Sequence, residues 1–240
     1  MFDRVIKLIG EDKFNNITNK TVVVVGIGGV GGYAVEGLVR SGISSIIIVD
    51  YDTVDISNLN RQIIADNKHI GYFKVDEMER RILSINPNCK VIKLYDKLSL
   101  DNIDNLFKYS FDYLIDACDT IVVKQELIKR CLENNIKIIS CMGTGNKLNP
   151  SLLEITDISK TSYDPIAKRI RKYLKDNHIN KLYDTQGVTD KGMSATPTYS
   201  GSEPDSKARR VPQEPTNPMS SSEMMSRYGV ATISDVSSVH

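Results

Sequence analysis

The sequence has few cysteines, no long apolar run and no surplus of charge of either sign. Its four cysteines, Cys89, Cys118, Cys131 and Cys141, form no Cys-x-x-Cys pair, so nothing points to a structural zinc site. No apolar stretch approaches the roughly 18 residues that a membrane-spanning helix needs. The first ten residues alternate charged and apolar side chains, which is not the pattern of an export signal. Without an export route the thiols are expected to stay reduced and the protein to be cytoplasmic. A net charge of +1 removes the global signal of a polycationic nucleic-acid binder, so local charge has to be read instead. What remains, with 40% hydrophobic and 25% charged residues among 240, is an ordinary soluble globular chain, long enough to bury a core unaided.

What is present is an alternation of strand and helix patterns. Residues 2–16 read as a short amphipathic helix with a linker. Residues 21–26 (TVVVVG) are a β-branched run ended by glycine, as in a strand buried on both faces of a parallel sheet. Val30, Ala34, Val35, Leu38 and Val39 then recur at helical spacing, and SSIIIVD (44–50) is a second buried strand, completing a βαβ unit. Further helices are predicted at 74–87, from Ser99 as N-cap through Tyr109, and in TIVVKQELIKRCLENN; further strands at CKVIKLYD, 111–117, 136–143 and LLEITDI. A basic helix follows at 164–177, with Pro165 in its first turn. The fold class is therefore α/β: a Rossmann-like, doubly wound, mostly parallel sheet with a C-terminal basic helix. The domain is drawn over residues 1–180. Residues 181–240 read as a low-complexity, disordered tail rich in Ser, Thr, Pro and Gly, with a short strand pattern in its last fifteen residues.

Between the first strand and its helix lies Gly26-Ile27-Gly28-Gly29-Val30-Gly31. Gly26 permits a tight turn, Gly28 and Gly29 let backbone approach a phosphate, and Gly31 lets helix and strand pack closely, with the helix N-terminus facing the anion. Asp50, ending the second strand, is placed for ribose hydroxyls. A nicotinamide dehydrogenase would share all of this.

The residues after Asp50 separate the readings. Asp52, Asn58, Arg61, Gln62 and Lys74 form a polar set that a hydride carrier does not need beside its ribose, whereas a triphosphate needs cations where charge grows. Arg61 offers a planar donor fork and Lys74 a mobile point charge, although either taken alone reads better as an ordinary surface cation. Asp116 and Asp119 end a strand at the carboxyl edge, where an aspartate near phosphates suits Mg²⁺; Asp119 reads equally as a helix N-cap. Cys118 between them reads as a packed small residue, not a nucleophile.

These motifs resemble the ubiquitin-activating-type (ThiF/MoeB-like) adenylyltransferases. GIGGVG, VDYDTVDISNLNRQ, GYFKVDE with INP, and DYLIDACDT occur in order and with that family's spacing over residues 22–120. The resemblance implies ATP as nucleotide, with Asn58, Arg61 and Lys74 on the triphosphate and Asp119 on Mg²⁺. It also implies Arg4 reaching into a partner subunit's ATP site, hence a homodimer. Within the family the chain looks most like the tRNA threonylcarbamoyladenosine dehydratase branch, through LVRSGISS, LIDACDT and EITDISKTSYDPIAKRIRKYLK.

That branch implies ATP-dependent activation of the threonylcarbamoyl carboxylate on a tRNA adenosine, followed by ring closure with net loss of water. Arg61, Lys74, Asp119 and Arg4 would be the catalytic set. Lys160, Lys168, Arg169, Arg171, Lys172 and Lys175 would face RNA phosphates, although a charged helix in solvent has the same composition. Two alternatives stand beside this reading. One is activation of the C-terminus of a ubiquitin-like sulfur carrier, with a sulfur-carrier or cysteine desulfurase system as partner; the other is a non-catalytic nucleotide-binding module. The resemblance stops near residue 182, where the family continues with strands, a crossing loop and a closing helix. That departure puts activity, dimerisation and substrate capture in question.

Overall fold

A computed structural model describes residues 1–144, 153–162, 164–179 and 185–190, the last stretch by backbone alone. The tail read from the sequence beyond residue 190, with its final strand pattern, lies outside the described residues.

Two short helices come first, α1 (Asp3–Ile9) and α2 (Glu11–Thr18), where the sequence suggested one helix and a linker. Gly10 divides them at φ +85°, a conformation that glycine adopts without strain. There follow β1 (Thr21–Val25), α3 (Gly31–Arg40), β2 (Ser45–Val49), α4 (Lys74–Ile85), β3 (Lys90–Leu94) and β4 (Tyr113–Asp116). Then come α5 (Ile121–Glu133), β5 (Lys137–Cys141), β6 (Leu153–Asp157), α6 (Pro165–Asp176) and β7 (Thr185–Asp190).

The strands form one seven-stranded sheet in the order β3-β2-β1-β4-β5-β7-β6. All neighbours are parallel except β6 and β7, so β6 is an antiparallel edge. β7 was not anticipated: it lies beyond the domain end drawn at residue 180, in a sequence (TQGVTD) whose glycine and polar residues hide the strand signal. Its pairing with both β5 and β6 is what makes it a strand.

The apolar runs are buried on both faces, as continuous β-branched strands require. Val22, Val24, Ile46 and Ile48 pack under α3 and α4 with Ala34, Val35, Val39, Val75, Met78 and Ile82. Val23, Val25, Ile47 and Val49 pack on the opposite face against α5 and α6, with Leu127, Ile128, Ala167, Ile170 and Leu174. The period-2 alternation of β1 and β2 thus feeds two cores. The helix expected from Ser99 is a 3-10 helix, Ile103–Lys108. Ser99 does not cap it; its backbone N–H donates to Asn102 Oδ1 at 2.8 Å.

Strand order reverses between β1 and β4. Chains leaving their carboxyl ends turn to opposite faces and open a crevice between them, where ligands bind in open parallel sheets. The glycine loop leaves β1 there, and the Asp116–Asp119 turn leaves β4.

Candidate active site

The loop's shape follows from what its glycines lack. Gly26 sits at φ +88°, and a side chain on it would begin 2.8 Å from the Ala117 carbonyl oxygen. A Cβ on Gly31 would fall on the Gly26 carbonyl oxygen, so the start of α3 closes against the loop only with glycine there. Gly28 is different: the nearest atom to where its Cβ would stand is Gln62 Nε2, at 3.9 Å. Its backbone is therefore the approachable part of the loop.

Asp50 holds the loop in place. One carboxylate oxygen accepts the Ile27 N–H at 2.7 Å and the other the Asp52 N–H at 2.9 Å. The aspartate expected at the ribose thus first fixes the backbone where it leaves β1 and β2, on one side of the crevice. Each carboxylate oxygen keeps a second lone pair, so ribose hydroxyls still have an acceptor.

The polar set after β2 gathers on the same edge. Residues 56–58 form a 3-10 turn capped by Asp55, whose carboxylate accepts the Ser57 N–H at 2.8 Å, while Asn58 Oδ1 accepts the Asp55 N–H at 3.1 Å. Asn58 is buried, its oxygen is spent on the turn and its amide nitrogen donates to Ser57 Oγ at a long 3.4 Å, leaving one amide N–H as its free chemistry. The turn delivers Arg61 to the loop: a Cβ on Gly29 would lie 3.3 Å from Arg61 Cγ. The exposed Arg61 guanidinium donates through one nitrogen to Ser57 O at 2.8 Å and to Asn60 Oδ1 at 3.1 Å, leaving its other N–H groups free.

Lys74, expected as a mobile charge, is instead fixed. At 5% exposed it is the first residue of α4, its Nζ donates to Asp52 Oδ2 at 2.9 Å, and its N–H donates to Asp52 O at 3.0 Å. Gln62 is also buried, and its Oε1 is the one buried side-chain oxygen or nitrogen among the described residues without a hydrogen-bond partner. Such an orphan costs about 1–3 kcal/mol unless a ligand supplies the missing bond. Turning the amide over would present N–H in its place, so the group seeks a partner either way.

The two aspartates after β4 do different things. Asp116 is fully buried and cannot serve as a metal ligand. Lys124 Nζ donates to both its oxygens at 3.1 Å, and Ser140 Oγ donates to one of them at 2.5 Å. Sequence reasoning missed Lys124 and Ser140, because nothing in a list of residues shows that the first turn of α5 folds back over the end of β4 or that Ser140 of β5 falls in register with Asp116. Asp119 is exposed, and its carboxylate accepts the Thr120 hydroxyl at 3.2 Å. It is not the N-cap of α5; Thr120 occupies that position. Of these two aspartates only Asp119 can face a solvent-borne metal; Asp52, after β2, is also partly exposed, with one oxygen engaged by Lys74.

None of the cysteines is poised as a nucleophile. Burial pushes the Cys89 and Cys141 thiols up to about 11 and Cys131 to about 12. Burial, with the Asp116 carboxylate adding to it, also pushes Cys118 far up. All four are free thiols. Arg4, exposed on α1, has no hydrogen bond or ion pair with the crevice residues among the described residues.

The profile of the ThiF family matches residues 2–189. Over 180 residues the chain is 46% identical to the tRNA threonylcarbamoyladenosine dehydratase of Bacillus subtilis (strain 168), an alignment spanning 75% of this chain and 71% of that protein. The dehydratase of Escherichia coli (strain K12) is 37% identical over 176 residues, spanning 73% of this chain and 66% of that one. The crystal structure of the E. coli tRNA N6-threonylcarbamoyladenosine dehydratase in complex with ATP has a TM-score of 0.77 at 35% identity, covering 82% of this chain and 83% of that one. Its complex with AMP has a TM-score of 0.75 at 34% identity, covering 80% and 81%.

Proposed function

The chain belongs to the ThiF family, and from that membership we propose that it is an ATP-dependent tRNA-modifying enzyme that dehydrates threonylcarbamoyladenosine. The observation that carries the reading is the crevice between β1 and β4. It combines a loop that only glycine can form, a locked Asp50, a seated Lys74 and the unmatched amide of Gln62, in a chain with extensive identity to such dehydratases.

ATP is a substrate in this scheme. The threonylcarbamoyl carboxylate attacks its α-phosphorus and expels pyrophosphate; a nitrogen of the same side chain then attacks the activated carbonyl and expels AMP. The sum is one ATP consumed, AMP and pyrophosphate released, and one water's worth of atoms lost from the nucleoside. Holding nucleophile and carbonyl on one side chain supplies a high effective concentration, so no protein nucleophile is needed, in keeping with the four buried or protonated thiols.

The residues of the chain divide the work. Backbone at Gly28 and Gly29 and the N-terminus of α3 receive phosphate oxygens. Asp50 accepts from the ribose hydroxyls, Gln62 completes its amide on the nucleotide, and Asn58 donates an amide N–H. Arg61 and Lys74 offset the charge that grows on the phosphates, and Asp52 keeps the Lys74 ammonium in place. Asp119 would hold Mg²⁺, which would neutralise phosphate charge when bound; one carboxylate plus phosphate oxygens is an ordinary Mg²⁺ environment. A second copy of the chain would supply Arg4 to the site.

The test is to incubate the protein with ATP and threonylcarbamoylated tRNA, then to measure AMP release and the mass of the nucleoside. Wild type should release AMP and shift the nucleoside down by one water. Arg61→Ala and Lys74→Ala should each lower AMP release by roughly 10²- to 10³-fold while circular dichroism stays unchanged. Unchanged turnover in both variants would refute the site. Pyrophosphate exchange that depends on a ubiquitin-like carrier and not on tRNA would replace the substrate, and ATP binding without AMP formation from any carboxylate would make the chain a nucleotide-binding module.

A further inference from the structure

On the four longer helices that flank the sheet, α3 to α6, cations are with one exception neutralised where they stand; the short α1 and α2 also carry cations, Arg4, Lys7 and Lys13, with no acidic partner within 4.0 Å among the described residues. Every Lys and Arg of α3, α4 and α5 has a carboxylate within 4.0 Å: Arg40 and Arg81 share Glu36, Lys74 has Asp52, Arg80 has Glu77, Lys124 has Asp116, Lys129 has Glu133, and Arg130 has Glu126 and Asp104. The exception is α6. Its Lys168, Arg169, Lys172 and Lys175 are exposed and none has an acidic partner at that distance among the described residues. Asp164, the nearest acid before it in sequence, is buried and consumed by capping, accepting the N–H groups of Ile166 and Ala167. Arg171 does not belong to the exposed set: it turns inward to donate to Ile158 O and the Thr161 hydroxyl.

Helix electrostatics account for only part of this. Lys172 and Lys175 lie toward the C-terminus, where cations are favoured by the peptide dipoles. Lys168 and Arg169 lie in the half where they are not. The four share the face opposite Ala167, Ile170 and Leu174, and Lys168, Lys172 and Lys175 recur at i, i+4 and i+7, a stripe about 10 Å long. The stripe begins beside the crevice, because Asp164 also accepts the Gly143 N–H at 2.8 Å, just past the carboxyl end of β5.

We propose that Lys168, Arg169, Lys172 and Lys175 form a track for the RNA backbone, along which the tRNA lies while its modified adenosine occupies the crevice. The proposal rests on the tRNA reading above. Unpaired cations in a row match a polyanion with closely spaced charges, and release of its counterions drives association. Phosphate contacts of this kind position the nucleic acid and leave base recognition to the crevice.

The test replaces all four residues by glutamine, which has nearly the helix propensity of lysine and arginine. Binding of threonylcarbamoylated tRNA is measured across a series of salt concentrations, alongside ATP binding. Relative to wild type, the variant should bind tRNA at least about tenfold more weakly near 100 mM salt. Its log–log salt slope should be shallower by roughly 3 to 3.5, since each of the four lost contacts removes about 0.7–0.9. Its ATP affinity and circular dichroism should be unchanged. A second variant that exchanges lysine and arginine at the four positions should restore the slope. If wild type converts the tRNA while the glutamine variant keeps affinity and slope, the track is wrong and the function stands. If wild type neither binds nor converts tRNA, the functional reading itself falls. Binding of the wild type to phosphatidylserine vesicles but not to tRNA would overturn the track in favour of an anionic membrane.

Discussion

Lys124 is 1% exposed, yet it has all the partners an ammonium can use: both oxygens of Asp116 and the Cys141 carbonyl at 2.7 Å. Burial is the largest single influence and would lower its pKa, but its surroundings, the Asp116 carboxylate foremost and Cys118 and Cys141 beside it, together leave it raised above the ordinary lysine value. A folded value above the unfolded one means this stabilisation is complete at neutral pH and is lost only as the pH climbs through the raised value. Lys124→Met should therefore cost about 3–5 kcal/mol at pH 7 in chemical denaturation, because it strands a buried carboxylate. Adding Asp116→Asn should recover much of that loss, since the amide oxygen can still accept from Ser140. A double variant as unstable as the single one would show that the stranded charge is not the source of the loss, which would then lie in the other contacts of Lys124, such as its bond to the Cys141 carbonyl. This cluster marks a limit of reading by residue type. An aspartate at a strand end near phosphates looks like a metal ligand until a lysine eight positions on is seen to fold over it.

Among the elements, the most legible were those whose local pattern and tertiary place agree. The valine and isoleucine runs of β1 and β2 can be buried on both faces in only a few ways, and the glycine loop between them announces its own turn. Elements stabilised by distant partners were harder to read. The 3-10 helix at 103–108 is too short to show a period, and α1 buries no residue and separates from α2 only at Gly10. The contact between α3 and α4 is of the distant kind. Glu36 accepts from Arg81 at 2.7 and 2.9 Å and from Arg40 at 2.7 Å. Partial burial would raise its pKa, but the two guanidiniums prevail and hold it below the ordinary carboxyl value of 4.5. Stability from a lowered carboxyl is present above the unfolded value and lost as the pH falls through the folded one. Glu36→Gln should thus be less stable than wild type by about 1 kcal/mol at pH 7, and the gap should close below about pH 4 as wild type also loses the charge. A gap that persists in acid would mean the two helices are joined by packing and not by this bridge.

At the scale of the molecule, the reversal of strand order decides where chemistry can happen, and it follows from connections that no single segment displays. Alternating strands and helices were enough to predict a doubly wound sheet, and strand-end aspartates with a glycine loop were enough to place the crevice at its carboxyl edge. The far side of the sheet was not legible, because β7 enters between β5 and β6 after α6 and draws its identity from two neighbours. The domain must then extend at least through Asp190 to close its sheet. A chain cut after Asp190 and one cut after Ile179 differ in sequence by little, but the shorter one leaves β6 with no strand to pair with and exposes the edge of β5. Unpaired strand edges are both unstable and prone to association. The shorter chain should melt lower by on the order of 10 °C, the shift expected in a domain of this size for a loss of several kcal/mol. It should also aggregate on sizing columns where the longer chain does not. Equal melting temperatures would place β7 outside the cooperative unit and return the end of the domain to α6.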